Sequence, residues 1–223
     1  MRRYSPAMST TEPAAREQLR SLLADDLVTD SVAEFVPGPG IQRLDVRFDL
    51  GLLRDALTTV TERAGYGGQV DDGFGVIPVT RRPGTTGTEQ EDMCGLFWLR
   101  ADERYVEEPM DIEVDESQYT ELMAEVADTY FAEVHARLCE LAPIGRMRIL
   151  SKATYNANSW HRDPEPRIHV PIITNPGSLM IVNHHATHLP ADGSAYFTDT
   201  RGYHTAINGG MAPRVHLVAA VAI

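Results

Sequence analysis

Apolar residues recur along the chain in two rhythms, one helical and one strand-like, and the change between them falls near Pro143. Before that point the spacing is mixed. Residues 1 to 12 show no periodicity and read as a disordered leader. From Glu12 to Asp26, Leu19, Leu22 and Leu23 fall at helical spacing among good helix formers. The P-G-P-G of residues 37–40 breaks the chain. Ile41 to Phe48 alternates as a strand does. Asp49 then caps a helix expected to run to Ala64, where Gly65 stops it. Residues 65–94 are rich in Gly and Thr. Strand-like pieces are expected at Phe74–Thr80 and Leu96–Arg100. The R-R-P-G-T-T-G-T segment between them reads as a long exposed loop, either a binding loop or lid, or a tolerated insertion. A second helix is expected from a cap at Asp115 or Ser117. Leu122, Val126, Tyr130, Val134, Leu138 and Leu141 carry its apolar face until Pro143 ends it.

Beyond Pro143 short β-rich segments take over. They are Arg146–Tyr155, Arg167–Thr174, Ser178–His184, Ser194–Thr198, Tyr203–Asn208 and Arg214–Ala222, with Pro and Gly between them. Strands of this length and spacing indicate an antiparallel sandwich or barrel. The expected class is α+β, a single domain over residues 13–223. Residues 13–143 form a helix-and-strand annex leaning on a β core at 144–223.

Composition narrows the function. The 223 residues carry 32 acidic and 20 basic side chains, a net charge of −12. Such a chain repels phosphate backbones and anionic lipid, which argues against a nucleic-acid or membrane-surface partner. No apolar run approaches the roughly 20 residues of a membrane span; the longest, Val215 to Ile223, is interrupted by His216. The N-terminal M-R-R-Y-S-P has no apolar segment behind it and does not read as a secretory signal. Two cysteines, Cys94 and Cys139, are too few for a disulfide scaffold, so a reducing cytoplasm is expected. Neither has a histidine at a telling spacing. Arginine outnumbers lysine 19 to 1, the bias of a GC-rich bacterial genome.

Seven of the eight histidines lie at or beyond His161. His161 and Asp163 form H-x-D in W-H-R-D-P-E-P-R, and His204 lies in the later strand Y-H-T-A-I-N. Two imidazoles and a carboxylate on facing strands can occupy one face of an octahedral metal and leave three positions open. That is the ligand set of non-haem Fe(II) oxygenases. An H-x-D spacing alone is expected by chance in a chain with eight histidines, so context must carry the reading. Arg214 follows His204 by ten residues and opens the last strand. It either points into the barrel, where it can pair with a carboxylate, or sits on a surface edge. Arg167 and His169 share one side of their strand, which faces either the interior or solvent.

The stretches H-R-D, R-I-H-V-P-I-I-T-N, G-S-A-Y-F-T-D-T-R-G-Y-H-T-A-I-N and R-V-H-L-V occur in that order. Together they resemble the aspartyl/asparaginyl β-hydroxylase family of Fe(II)/2-oxoglutarate-dependent dioxygenases, which includes bacterial proline cis-hydroxylases and related amino-acid hydroxylases. The resemblance covers residues 146–220. It implies a double-stranded β-helix, or jelly roll, of cupin-like form with flanking N-terminal helices. It implies iron held by His161, Asp163 and His204, with 2-oxoglutarate and O2 as cosubstrates. The far carboxylate of 2-oxoglutarate would meet Arg214, with Arg167 and His169 beside it. The implied reaction hydroxylates an unactivated C–H bond and releases succinate and CO2. Members of the aspartyl/asparaginyl type bind iron with two histidines only. Asp163 therefore points to the free-amino-acid and proline hydroxylase branch, or to a relative acting on a peptide, and away from epidermal-growth-factor-like domains.

Candidate substrate contacts are Trp160, Asn156, Asn158 and Arg100, with Arg81 and Arg82 as further partners for a carboxylate. The expected substrate is an amino acid or a residue of a small peptide, in the setting of natural-product biosynthesis. His184, His185 and His188 read as a polar loop near the pocket mouth rather than a second metal site. His216 reads as a companion of Arg214, and His135 as a boundary residue of the second helix. Two other readings use the same barrel: a cupin-like metal-dependent hydrolase or isomerase, and a non-catalytic binding module. Neither requires a buried Arg214.

Overall fold

The computed structural model describes residues 35–64, 74–93, 98–100, 107–109 and 113–222. The expected leader, the expected helix at 12–26 and Cys94 lie outside them. In chain order the elements are β1 (Ile41–Arg47), α1 (Leu50–Arg63), β2 (Phe74–Pro78), β3 (Thr80–Arg81), the single turn α2 (Gln90–Met93), β4 (Trp98–Arg100) and β5 (Glu107–Pro109). After a tight turn at Glu116–Gln118 come β6 (Glu121–Leu122) and α3 (Tyr130–Cys139). The remainder is β7 (Ile144–Lys152), β8 (Asn156–Ala157), β9 (His161–Arg162), β10 (Arg167–Ile173), β11 (Ser178–Val182), β12 (His185–Thr187), β13 (Ser194–Thr198), β14 (His204–Asn208) and β15 (Arg214–Val221).

Two antiparallel sheets carry the fold. One has the order β1-β13-β10-β15-β7-β2, the other β12-β11-β14-β9-β4-β5 with β8 also on β14. The quartets β13-β10-β15-β7 and β12-β11-β14-β9 are the two halves of a double-stranded β-helix. Strands from before residue 144 extend both: β1 and β2 lie at the edges of the first sheet, β4 and β5 at the edge of the second.

Alternation along the first sheet decides what each face holds. On β10, Ile168, Val170 and Ile172 point one way and Arg167 and His169 the other. On β7 and β15 the same split separates Met147, Ile149, Leu217 and Ala219 from Arg148, Lys152, Arg214 and His216. The apolar set packs against Leu53, Ala56 and Val60 of α1 and Phe131, Val134 and Leu138 of α3. The sheet is thus buried on both faces, apolar under the helices and basic within the barrel. Pro171 sits in β10 because the ladder to β15 shifts register between Pro171 and Ile173, where no donor is needed.

Local signals worked where nothing tertiary opposed them. Asp49 caps α1 through its side chain, which accepts from the Leu52 amide, and Ala64 closes the helix. The second helix is shorter than its periodicity suggests. Asp115 caps only the turn at Glu116–Gln118, Leu122 lies in β6 against β3, and α3 starts at Thr129, which caps it. Glu116 explains the difference. Its carboxylate accepts from the Arg146 backbone amide and Nε, both at 2.7 Å, and that capture turns the chain inward before a helix can propagate. The expected strand Phe74–Thr80 is likewise split at Val79, whose amide donates to Met147. H-x-D, expected in a loop, begins in the two-residue strand β9.

Phe131 is fully buried at the helix–sheet contact. Phe131→Ala should therefore cost about 3–5 kcal/mol of unfolding free energy, read from urea denaturation. Leu52→Ala, at a residue 47% exposed on the same protein, should cost under about 1 kcal/mol. Equal losses would contradict this assignment of the core.

Candidate metal centre

His161 on β9 and His204 on β14 are direct partners across an antiparallel ladder, with ring centroids 4.1 Å apart. Asp163 follows one residue beyond β9, and its backbone amide donates to Thr200 at 2.8 Å, which fixes the carboxylate beside both rings. One ligand atom from each of the three residues lies within 4.8 Å of the others, and all three side chains are buried. Among the described residues no other such cluster occurs.

The hydrogen bonds settle which atoms face one another. His161 Nδ1 lies 2.7 Å from the Ser159 carbonyl and His204 Nδ1 lies 3.1 Å from the Gly202 carbonyl. A carbonyl only accepts, so each Nδ1 carries the proton and each Nε2 presents a lone pair. His204 Nε2 points at Asp163 Oδ2 across 3.4 Å. Both atoms are acceptors, and neither carboxylate oxygen of Asp163 makes a hydrogen bond of good geometry, although Arg167 Nη2 stands 3.0 Å away. Lone pairs buried face to face repel unless a cation lies between them. Burial holds both imidazoles below their ordinary pKa, well below for His204, whose ring also feels His161. Burial pushes Asp163 upward against the pull of Arg167. Neighbouring ligands on one face of an octahedral ion, each about 2.1 Å from it, stand about 3.0 Å apart, close to the 3.4 Å between His204 Nε2 and Asp163 Oδ2. The residues fit the metal.

The cluster opens on a cavity of about 470 Å³. Arg214 and His169 line it with His161, His204 and Arg167. The guanidinium of Arg214 is buried against the His216 ring, with Nε 3.1 Å from its Nε2, and His216 stands 3.4 Å from His169. No carboxylate lies within ion-pair distance of Arg214 among the described residues, and burial draws its pKa down to about 10. Arg167 differs: Asp163 and Glu165, at 3.0 and 3.3 Å, hold it at the metal end. Burial raises Glu165 to about 7. An unpaired buried guanidinium facing a cavity is a site for an anionic group.

Asn156 and Asn158 line the same cavity. Trp160 does not; its ring lies 6.2 Å from that of His184. Arg100 ends β4, and its side chain lies outside the described ones. Arg81 and Arg82 are engaged elsewhere, Arg81 with Glu121 at 3.3 Å and Arg82 with Asp92 at 3.3 Å. The segment expected as a long exposed loop is tied down by Arg81 to Thr85 and by Glu89 to Thr86 and Gly87. His184 is exposed, whereas His185 bonds the Val36 carbonyl and buried His188 the Ser178 carbonyl. His135 is half-buried, and its Nε2 lies 3.5 Å from Cys139 Sγ one helical turn on, so that cysteine does have a histidine neighbour, contrary to the expectation from spacing.

Sequence reasoning missed Arg148 and Phe74, which line the cavity, and Lys152 behind it. The signal was present: in R-M-R-I-L-S-K basic residues at even positions alternate with apolar ones, the pattern of a strand with a basic face.

No family model and no curated protein matches the chain. Among solved structures it is similar to an oxidoreductase of the 2OG-Fe(II) oxygenase family from Burkholderia pseudomallei, with 13% identity over 98% of this chain and 93% of that one, TM-score 0.47. AviO1 from Streptomyces viridochromogenes aligns over 90% and 97% at 15% identity, TM-score 0.45. A cupin domain from Bordetella pertussis aligns over 34% and 79% at 18% identity, TM-score 0.30.

Metal binding should be visible as stability. With free Mn(II) at 100 times its dissociation constant the folded state gains about 2.7 kcal/mol, several degrees of Tm in a thermal-shift measurement. His161→Ala and His204→Ala should abolish the gain, and Arg201→Ala should leave it intact. Equal shifts in all three variants would place the ion elsewhere.

Proposed function

We propose that the protein is an Fe(II)/2-oxoglutarate-dependent dioxygenase that hydroxylates an unactivated C–H bond of an amino acid or of a residue in a small peptide. The observation that carries this reading is the pairing, in one cavity, of a cation-seeking His161–Asp163–His204 set with an anion-seeking Arg214. A metal that keeps open positions beside an unpaired arginine suits a ligand with a chelating group at one end and a carboxylate at the other. 2-Oxoglutarate has that form. Fe(II), when bound, supplies the chemistry that couples dioxygen to decarboxylation of the oxo acid and to hydroxylation of the substrate.

The chain's own contribution is placement. His161, Asp163 and His204 would hold the iron, and the Ser159 and Gly202 carbonyls fix their two imidazoles in the ligating tautomer. Arg167, paired with Asp163 and Glu165, pulls the Asp163 carboxylate toward its ionised form against burial and would orient it at the metal. Arg214, braced by His216, would receive the far carboxylate, with His169 as a neutral neighbour held well below its ordinary pKa by burial. Met180, Ala206 and Leu150 give the cavity apolar walls that limit water. No helix among the described residues is long and apolar enough to cross a membrane.

The test is succinate release from 2-oxoglutarate with Fe(II) and ascorbate, across amino acids and short peptides. His204→Ala and Asp163→Ala should abolish turnover. Arg214→Met should raise the apparent KM for 2-oxoglutarate about a hundredfold, the loss of one charged hydrogen-bonding partner of roughly 3 kcal/mol. Turnover of another substrate class without 2-oxoglutarate would favour a cupin-like hydrolase or isomerase instead.

A further inference from the structure

Lys152 is the chain's sole lysine, and it is fully buried at the end of β7, cross-strand from Arg214. No carboxylate among the described residues pairs with it. Its Nζ donates to Asn156 Oδ1 at 2.9 Å and to Asn158 Oδ1. The ring of Phe74 lies 5.6 Å from Nζ on the adjoining strand. Burial, and then Arg214, draw its pKa down to about 8.

That ammonium decides how two amides point. An ammonium has donors and no acceptor, so it takes the oxygen of each asparagine and turns both NH2 groups away. Asn156 and Asn158 line the cavity, their backbones are fixed against β14, and no described residue accepts from either Nδ2. The cavity therefore meets a pair of amide donors with a buried cation directly behind them, three and five residues before His161 along the chain. Such a patch offers donors and positive potential and no acceptor, which selects an anion over a neutral amide or an alcohol.

Resting on the oxygenase reading above, we propose that Asn156 and Asn158, oriented by Lys152, bind the free carboxylate of the primary substrate, so that the substrate is a small carboxylic acid such as a free amino acid and not an internal peptide residue. Asn156 and Asn158 touch the acid, and Lys152 is the positioning residue behind them. The distal carboxylate of 2-oxoglutarate is left to Arg214.

A single lysine makes the test clean, because full-length protein labelled with 13Cε-lysine gives one side-chain resonance. Its titration is followed with diamagnetic Zn(II) and 2-oxoglutarate saturating, before and after adding the twenty amino acids with the C2–C6 straight-chain carboxylic acids, or their carboxamides. The acids should raise the Lys152 midpoint by about one pH unit, since a nearby carboxylate favours the charged amine; the carboxamides should not. The double variant Asn156→Ala/Asn158→Ala should weaken the acids about tenfold or more while 2-oxoglutarate affinity, measured by calorimetry, changes less than about twofold. Lys152→Met should do the same, and Lys152→Arg should restore part of the loss. The proposal is overturned if carboxamides act as the acids do, if no acid moves the signal beyond its position with metal and 2-oxoglutarate bound, or if the double variant binds normally. Repeating the acid titration on metal-free protein separates the two readings: a response there without succinate release anywhere overturns only the oxygenase.

Discussion

The interior of this barrel holds charges that do not cancel one another. Asp163 is buried with both oxygens short of good partners, while Arg214 and Lys152 are buried without a carboxylate. Each such ion costs several kcal/mol to remove from water, and for Asp163 the one ion pair with Arg167 offsets only part of that. The arrangement persists because the other face of the same sheet is sealed by α1 and α3, whose burial of Leu53, Val60, Phe131 and Leu138 offsets the cost. A chain that only had to fold would place hydrophobic side chains inside the barrel as well. The unbalanced groups sort by sign: acceptors converge around His161, Asp163 and His204, donors around Arg214, Asn156 and Asn158. A cation at one end and anions at the other would complete the electrostatics.

The external field works on these two ligand classes in opposite directions. With a net charge of −12 the protein draws divalent metal toward itself and repels dicarboxylates at long range. Anion binding must then be won at close quarters, inside a cavity where Arg148, Arg167 and Arg214 line the wall and the dielectric is low. Glu107 illustrates how acidic groups are kept from intruding. Its carboxylate is occupied by Arg162 and Tyr203, which hold it down to about 2 and tie β5 to β9, the strand that carries His161.

The strand half of the chain was readable because its inner and outer faces differ chemically at every second residue. Ile168, Val170 and Ile172 against Arg167 and His169 left little room for another register. The three metal-seeking side chains were readable from H-x-D and a later histidine in a resembling context. The helix from Asp115 was overread, since a four-residue apolar step cannot reveal that Arg146 captures Glu116 from thirty residues away. Arg81 and Arg82 looked like substrate contacts, but their carboxylate partners Glu121 and Asp92 are close only after folding. Lys152 was overlooked for the converse reason. Nothing local marks a lysine as buried, and its meaning comes from two asparagines and an arginine on a neighbouring strand.

The central claim is that one cavity binds a divalent metal and an oxo-dicarboxylate together. Anaerobic calorimetric titration of 2-oxoglutarate into the full-length protein, with and without Mn(II), tests it most directly. The account predicts one site per chain on the Mn(II)-loaded protein, with affinity falling at least about tenfold when the metal is withheld and again in Arg214→Met. Absence of binding to the metal-loaded protein, or binding indifferent to both metal and Arg214, would contradict it.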